Sequence, residues 1–148
     1  MSRSLVLATL FVSSLALVRV AHADSKAECD FLEINATTGK APALDVELQP
    51  LEKKLKKPPF SSWNTFHKLS AGHVSLTQLK ADPLKLQKGA ASLLLRDRTD
   101  KRLELTITID GADGKRWLDT KQSVNAGDWP MWVHNVGEDG HILALTCH

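Results

Sequence analysis

Leu103-Glu104-Leu105-Thr106-Ile107-Thr108-Ile109, running into Asp110-Gly111-Ala112-Asp113-Gly114, is the stretch whose reading decides the fold. In an extended chain successive side chains point to opposite faces. Leu103, Leu105, Ile107 and Ile109 therefore share one face, and Glu104, Thr106 and Thr108 share the other. That alternation predicts a strand of an antiparallel sheet with one buried and one wet side. Arg98-Thr99-Asp100 before it and the glycine-rich segment after it supply hairpin connections. Asp110 to Gly114 shares carboxylates with a calcium loop but lacks its third- and twelfth-position ligands, so it reads as a turn.

Downstream, residues 115–124, 129–136 and 141–147 continue a meander, joined by Asn125-Ala126-Gly127-Asp128 and Gly137-Glu138-Asp139-Gly140. In the last of these Leu143, Leu145 and Cys147 share a face, which puts the cysteine on the core side. Upstream, residues 28–35 read as a first strand around Phe31, Leu32 and Ile34. Period-two spacing returns over 63–69, with shorter candidates at 74–79, 84–87 and 91–96. Between them Leu44, Leu48, Leu51 and Leu55 recur at helical spacing. Pro50 places the helix start near Gln49, and Pro58-Pro59 ends it. The sum is a mainly β domain, an antiparallel β-sandwich or open barrel of about eight short strands with one short N-terminal helix.

Residues 1–23 read as a secretion signal. Arg3 precedes an apolar run from Leu5 to Val18, too short to span a bilayer, and Ala21-His22-Ala23 has the small-x-small pattern of a cleavage site. Residues 24–148 then form a single β-rich domain, expected in the periplasm or outside the cell, with no membrane-crossing segment. The formal net charge of +2 belongs to the precursor, because removing Arg3 and Arg19 leaves 17 basic and 17 acidic residues. Neutrality gives no argument for nucleic acid as a partner. The charge is uneven, however: residues 24–52 carry −5, residues 53–88 carry +7 and the remainder −2. Lys53, Lys54, Lys56 and Lys57 head the basic block.

Cys29 and Cys147 are the two cysteines. In an oxidising compartment such a pair forms a disulfide, with free thiols or metal ligation as the alternatives. The pairing requires the first and last elements to lie side by side. Nucleophile elbows, zinc-protease helices, Cys-x-x-Cys pairs and phosphate or dinucleotide loops are absent from the sequence. Asn35-Ala36-Thr37 fits the N-glycosylation pattern. His67, His73, His134, His141 and His148 lack the tight spacing of a zinc site, although His134 and His141 face each other across a predicted hairpin. Glu138-Asp139 and Asp97 with Asp100 are carboxylates at solvent-exposed turns. Trp129-Pro130-Met131-Trp132 places two indoles on opposite sides of a strand, with Trp117 on the strand before.

Leu48 to Ser70, with Leu51, Leu55, Pro59-Phe60-Ser61-Ser62-Trp63 and the strand 66–69, resembles a family of small exported Gram-negative bacterial proteins. In them a helix ends in a Pro-Phe turn and strands follow. That family has no assigned activity, so the resemblance implies export and a β-rich fold and carries over no functional residue. Lysine and tryptophan clustering without a catalytic constellation leads to the expectation of a non-enzymatic exported binding or structural protein of the cell envelope, without cofactor. Its expected partner surface is Lys53, Lys54, Lys56 and Lys57 with exposed Trp63 and Trp132, facing an envelope protein or a glycan. The alternatives are a carbohydrate- or cell-wall-binding module using Trp117, Trp129 or Trp132, and a periplasmic metal-binding protein using the late histidines.

Overall fold

Residues 25–148 are described by the structure, a computed structural model. The secretion-signal reading of 1–23 and the start at Asp24 lie outside them. Nine strands form two sheets. The first holds β1 (Lys26–Thr37), β2 (Ala43–Leu44), β3 (Thr65–Thr77), β8 (Met131–Val136) and β9 (Asp139–Cys147), in the order β2-β3-β1-β9-β8. The second holds β4 (Ala81–Lys85), β5 (Ala90–Arg98), β6 (Arg102–Asp110) and β7 (Arg116–Asn125), in chain order. All pairings are antiparallel except that of the two-residue β2 with β3.

The sheets enclose one core, and a helical cap over the outer face of the first sheet encloses another. Leu103, Leu105, Ile107 and Ile109 of β6 pack between the sheets against Phe31, Leu93, Leu143 and Leu145. The opposite face of β6 is exposed at Glu104, as its alternation requires. The cap runs through a 3-10 turn (Val46–Leu51), the four-residue helix α1 (Glu52–Leu55) and a second 3-10 turn (Phe60–Ser62). It drives Leu48, Leu51, Leu55 and Phe60 onto Ile34, Phe66, Ile142 and Ala144. Strand β9 is consequently buried on both faces from Gly140 to Cys147. Asp45 fastens the cap to β3 through His67 Nδ1 (3.0 Å) and the Lys68 N–H (2.7 Å).

Two expectations need correction. The helical segment starts at Val46 and takes Pro50 in as the fifth of its six residues. The candidates at 63–69 and 74–79 are one long strand, β3, with a register shift opposite Glu33/Ile34. Gly72 lets that strand continue, since a Cβ there would lie 2.6 Å from the Phe31 ring. The nine strands among the described residues, the two-residue β2 included, agree with the expected count of about eight.

Leu79, in the turn from β3 to β4, has φ 61° and is 71% exposed. The left-handed conformation costs a branched residue about 1–2 kcal/mol and Asn less, while an exposed leucine contributes little burial in return. Leu79→Asn is therefore expected to raise stability by about 1 kcal/mol. Thermal unfolding would show this, and a lowered midpoint would contradict the strain argument.

Candidate functional site

Two regions offer binding geometry. The first is the cap. Lys53, Lys54, Lys56 and Lys57 are all exposed on it. Lys56 Nζ pairs with Glu52 (2.5 Å) and Lys54 Nζ donates to the Trp129 carbonyl (2.7 Å). Lys53 and Lys57 bond no side chain or carbonyl through Nζ among the described residues. Beside them a groove of about 480 Å³ lies between the cap and the β2–β3 edge, lined by Ala43, Leu44, Leu55, Trp63 and Phe66 with Lys56 at its rim.

Trp63 corrects the expectation of an exposed indole. It is only 9% exposed, its ring covers Gly140, and its Nε1–H donates to the Glu138 carbonyl (2.8 Å). Its burial follows from the cap, which folds over the position that sequence alternation alone left open. Trp132 is half-buried against the inter-sheet core and donates to Gln122 Oε1 (3.2 Å). It sits on β8, away from the cap groove, so the structure does not join it to the lysines. Trp129 packs against the cap core, so these two indoles do take opposite sides of the first sheet.

The second region is the polar mouth between the sheets. Here the hairpin turns β6–β7 and β8–β9 and the β4–β5 connection surround a cleft of about 240 Å³. Its inner wall holds His141, with Glu33 behind it, and their side chains are 4% and 0% exposed. Glu33 accepts four hydrogen bonds: from His141 Nε2 (2.8 Å), Ser70 Oγ (2.5 Å), the Gln87 N–H (2.7 Å) and the Lys88 N–H (2.8 Å). Burial alone pushes this carboxyl upward. The four donors outweigh it and hold the pKa at about 2. An ionised carboxylate only accepts, so the His141 proton resides on Nε2, and Nδ1, without a partner among the described residues, is left for the cleft.

Around this pair the mouth mixes donors and acceptors. Lys88 Nζ reaches Asn35 Oδ1 (3.0 Å), which ties the Asn35 amide into the cleft wall. Asp113, on the β6–β7 turn, and Asp139, at the start of β9, stand at the rim. His134 lines the cleft and stacks on Trp117 with ring centroids 5.2 Å apart and planes at 13°. Trp117 also meets His141 edge-on at 6.4 Å.

Cys29 and Cys147 form a disulfide across the β1–β9 pair, which removes Cys147 from any metal-ligating role. His134 and His141 are directly opposed, as their positions suggested, but each ring is engaged by protein. No group of three His, Cys, Asp or Glu among the described residues has the geometry to hold a metal ion. Among those residues no helix is long and apolar enough to cross a membrane.

Glu33 was not singled out from the sequence, and His141 only as a metal candidate. Counting by twos from Cys29 through Phe31 puts Glu33 on the inward face, and counting back from Cys147 does the same for His141. A charged residue in phase with a core face was the available signal. Compared with known protein families, curated proteins and solved structures, the chain matches none.

Proposed function

We propose that the chain is an exported, non-enzymatic binding protein of the cell envelope, which holds an acidic segment of a protein partner on its cap. The observation that carries this reading is the apolar groove of about 480 Å³, lined by Lys56 and its partner Glu52, under a cap that also exposes Lys53, Lys54 and Lys57. An apolar trough binds leucine-like side chains, and the lysines select for flanking carboxylates and exclude basic competitors.

The test is selection from a random peptide library on the immobilised protein, followed by affinity measurement. Enriched peptides are expected to place Asp or Glu next to apolar residues and to weaken with salt, because exposed charges are screened. Lys53→Glu with Lys57→Glu, whose ammonium groups hold no described contact, is expected to lower affinity at least tenfold with the fold intact. Unchanged affinity, or enrichment of basic peptides, would remove the cap as the binding surface.

A further inference from the structure

The polar mouth is a separate site, and we infer that it binds a neutral, multiply hydroxylated ring of monosaccharide size. The inference is independent of what the cap binds. Three features on the cleft wall support it.

First, His141 is nine-tenths buried yet keeps Nδ1 without a protein partner at the cleft, while its Nε2 is locked to Glu33. Nδ1 is not among the buried unpartnered atoms, so it is open to solvent at the cleft, and a ligand that fills the cleft has to replace that water with a hydrogen bond of its own. The ring cannot turn to satisfy Nδ1, because rotation would strip a donor from the buried carboxylate. Nδ1 is thus a fixed hydrogen-bonding point, oriented by four bonds on the Glu33 behind it.

Second, the remaining polar groups carry both signs. Lys88 and Asn35 stand together, and Asp113 stands on the β6–β7 turn with Asp139 at the start of β9. An anion would meet the two carboxylates and a cation the lysine. A hydroxyl both donates and accepts, so a ring bearing several of them can bond Asp, Asn, Lys and imidazole together. Third, His134, backed by Trp117, gives the cleft a flat ring wall. A space of about 240 Å³ lies below the range for drug-sized ligands, which matches one sugar residue, free or at the end of a glycan chain.

The test is ligand-observed NMR and calorimetry on the full folded chain. The probes are neutral hexoses, N-acetylhexosamines, the matching uronates, free amino acids and short cell-wall glycan oligomers. Saturable binding of a neutral sugar is expected, with the uronate at least tenfold weaker. Asp113→Asn with Asp139→Asn, both at exposed positions, is expected to keep the thermal midpoint and lower sugar affinity at least fivefold. Lys88→Met, which keeps the backbone N–H to Glu33, should lower it as well. Binding of free monosaccharide identifies a small-molecule site, and binding only of oligomers identifies a chain-end site. Binding of amino acids alone, uronates favoured over neutral sugars, the same affinity in the variants, or no response across the panel would each overturn the inference.

Discussion

Replacing Cys29 and Cys147 together by alanine is expected to lower the free energy of unfolding by about 5 kcal/mol, the largest effect of any substitution considered. The bond joins residues 118 apart. In the unfolded chain it forbids almost every arrangement in which the ends separate, and that lost entropy grows with the logarithm of the loop length. In the folded chain the bond has much less to do. Cys29 and Cys147 are already directly opposed in the β1–β9 ladder, and Glu28 and His148 exchange two backbone hydrogen bonds of 2.9 Å beside them. The double alanine variant should therefore fold to the same sandwich and differ mainly through its unfolded state. Both sulfurs are fully buried in the inter-sheet core, so their removal adds a small cavity contribution of the same sign. Domains of this size are commonly stable by about 5–15 kcal/mol, so the variant would stand close to its unfolding midpoint. Urea unfolding of the two proteins at one pH measures the difference. A loss below about 2 kcal/mol would mean that the denatured chain keeps its ends together without the bond.

How far the sequence discloses this arrangement depends on how many layers a residue meets. Strand β6 lies at one boundary between core and water, so its period of two is plain in Leu103, Leu105, Ile107 and Ile109. The disulfide was legible for the same reason, since Cys147 shares a face with Leu143 and Leu145. Strand β9 lies between two cores and is buried at every position from Gly140 to Cys147. Its second covered face depends on a cap nearly a hundred positions earlier in the chain, which no local pattern encodes. Trp63 was misread as exposed for that reason. The cap is itself short and irregular, two 3-10 turns and one turn of α-helix, so its leucine stripe revealed a helical period without its start. The polar mouth was least legible. Glu33, His141, Lys88 and Asp113 come from four separate segments, and only the closing of one sheet over the other brings them together.

Glu33 makes that closure dependent on acidity. Its pKa is about 2 in the folded protein against 4.5 for the ordinary carboxyl, so the folded state holds the proton less tightly than the unfolded one. A depressed folded-state pKa contributes stability that is fully present above about pH 4.5 and is lost as pH falls toward 2. At about 1.4 kcal/mol per unit the loss is roughly 3 kcal/mol across that window. Glu28, Asp45 and Glu47 are shifted downward too, through hydrogen bonds from Ser75, His67 and Lys68 respectively, but they face solvent and are screened. The wild-type curve therefore mixes all four, and Glu33→Gln isolates one of them. Gln87 and Lys88 donate to different oxygens of Glu33, so the amide keeps an acceptor for only one of them and lowers stability at every pH. It also removes the titration, so its stability should vary with pH by about 3 kcal/mol less than wild type below pH 4.5. His141→Ala tests the same pair from the other side. It leaves the carboxylate in the core without its imidazole donor, and loss of one member of a buried, hydrogen-bonded pair costs about 3 kcal/mol. Replacing both, with Glu33→Leu and His141→Leu, removes the charge together with its partner and should recover much of that loss, although the connection at Gln87 and Lys88 is then released from β1. Urea unfolding at intervals between pH 7 and 2 follows all three variants. Parallel curves for wild type and Glu33→Gln would show that the pair carries no charge-dependent stability, and a His141→Ala loss under 1 kcal/mol would show that solvent enters the mouth to replace the imidazole.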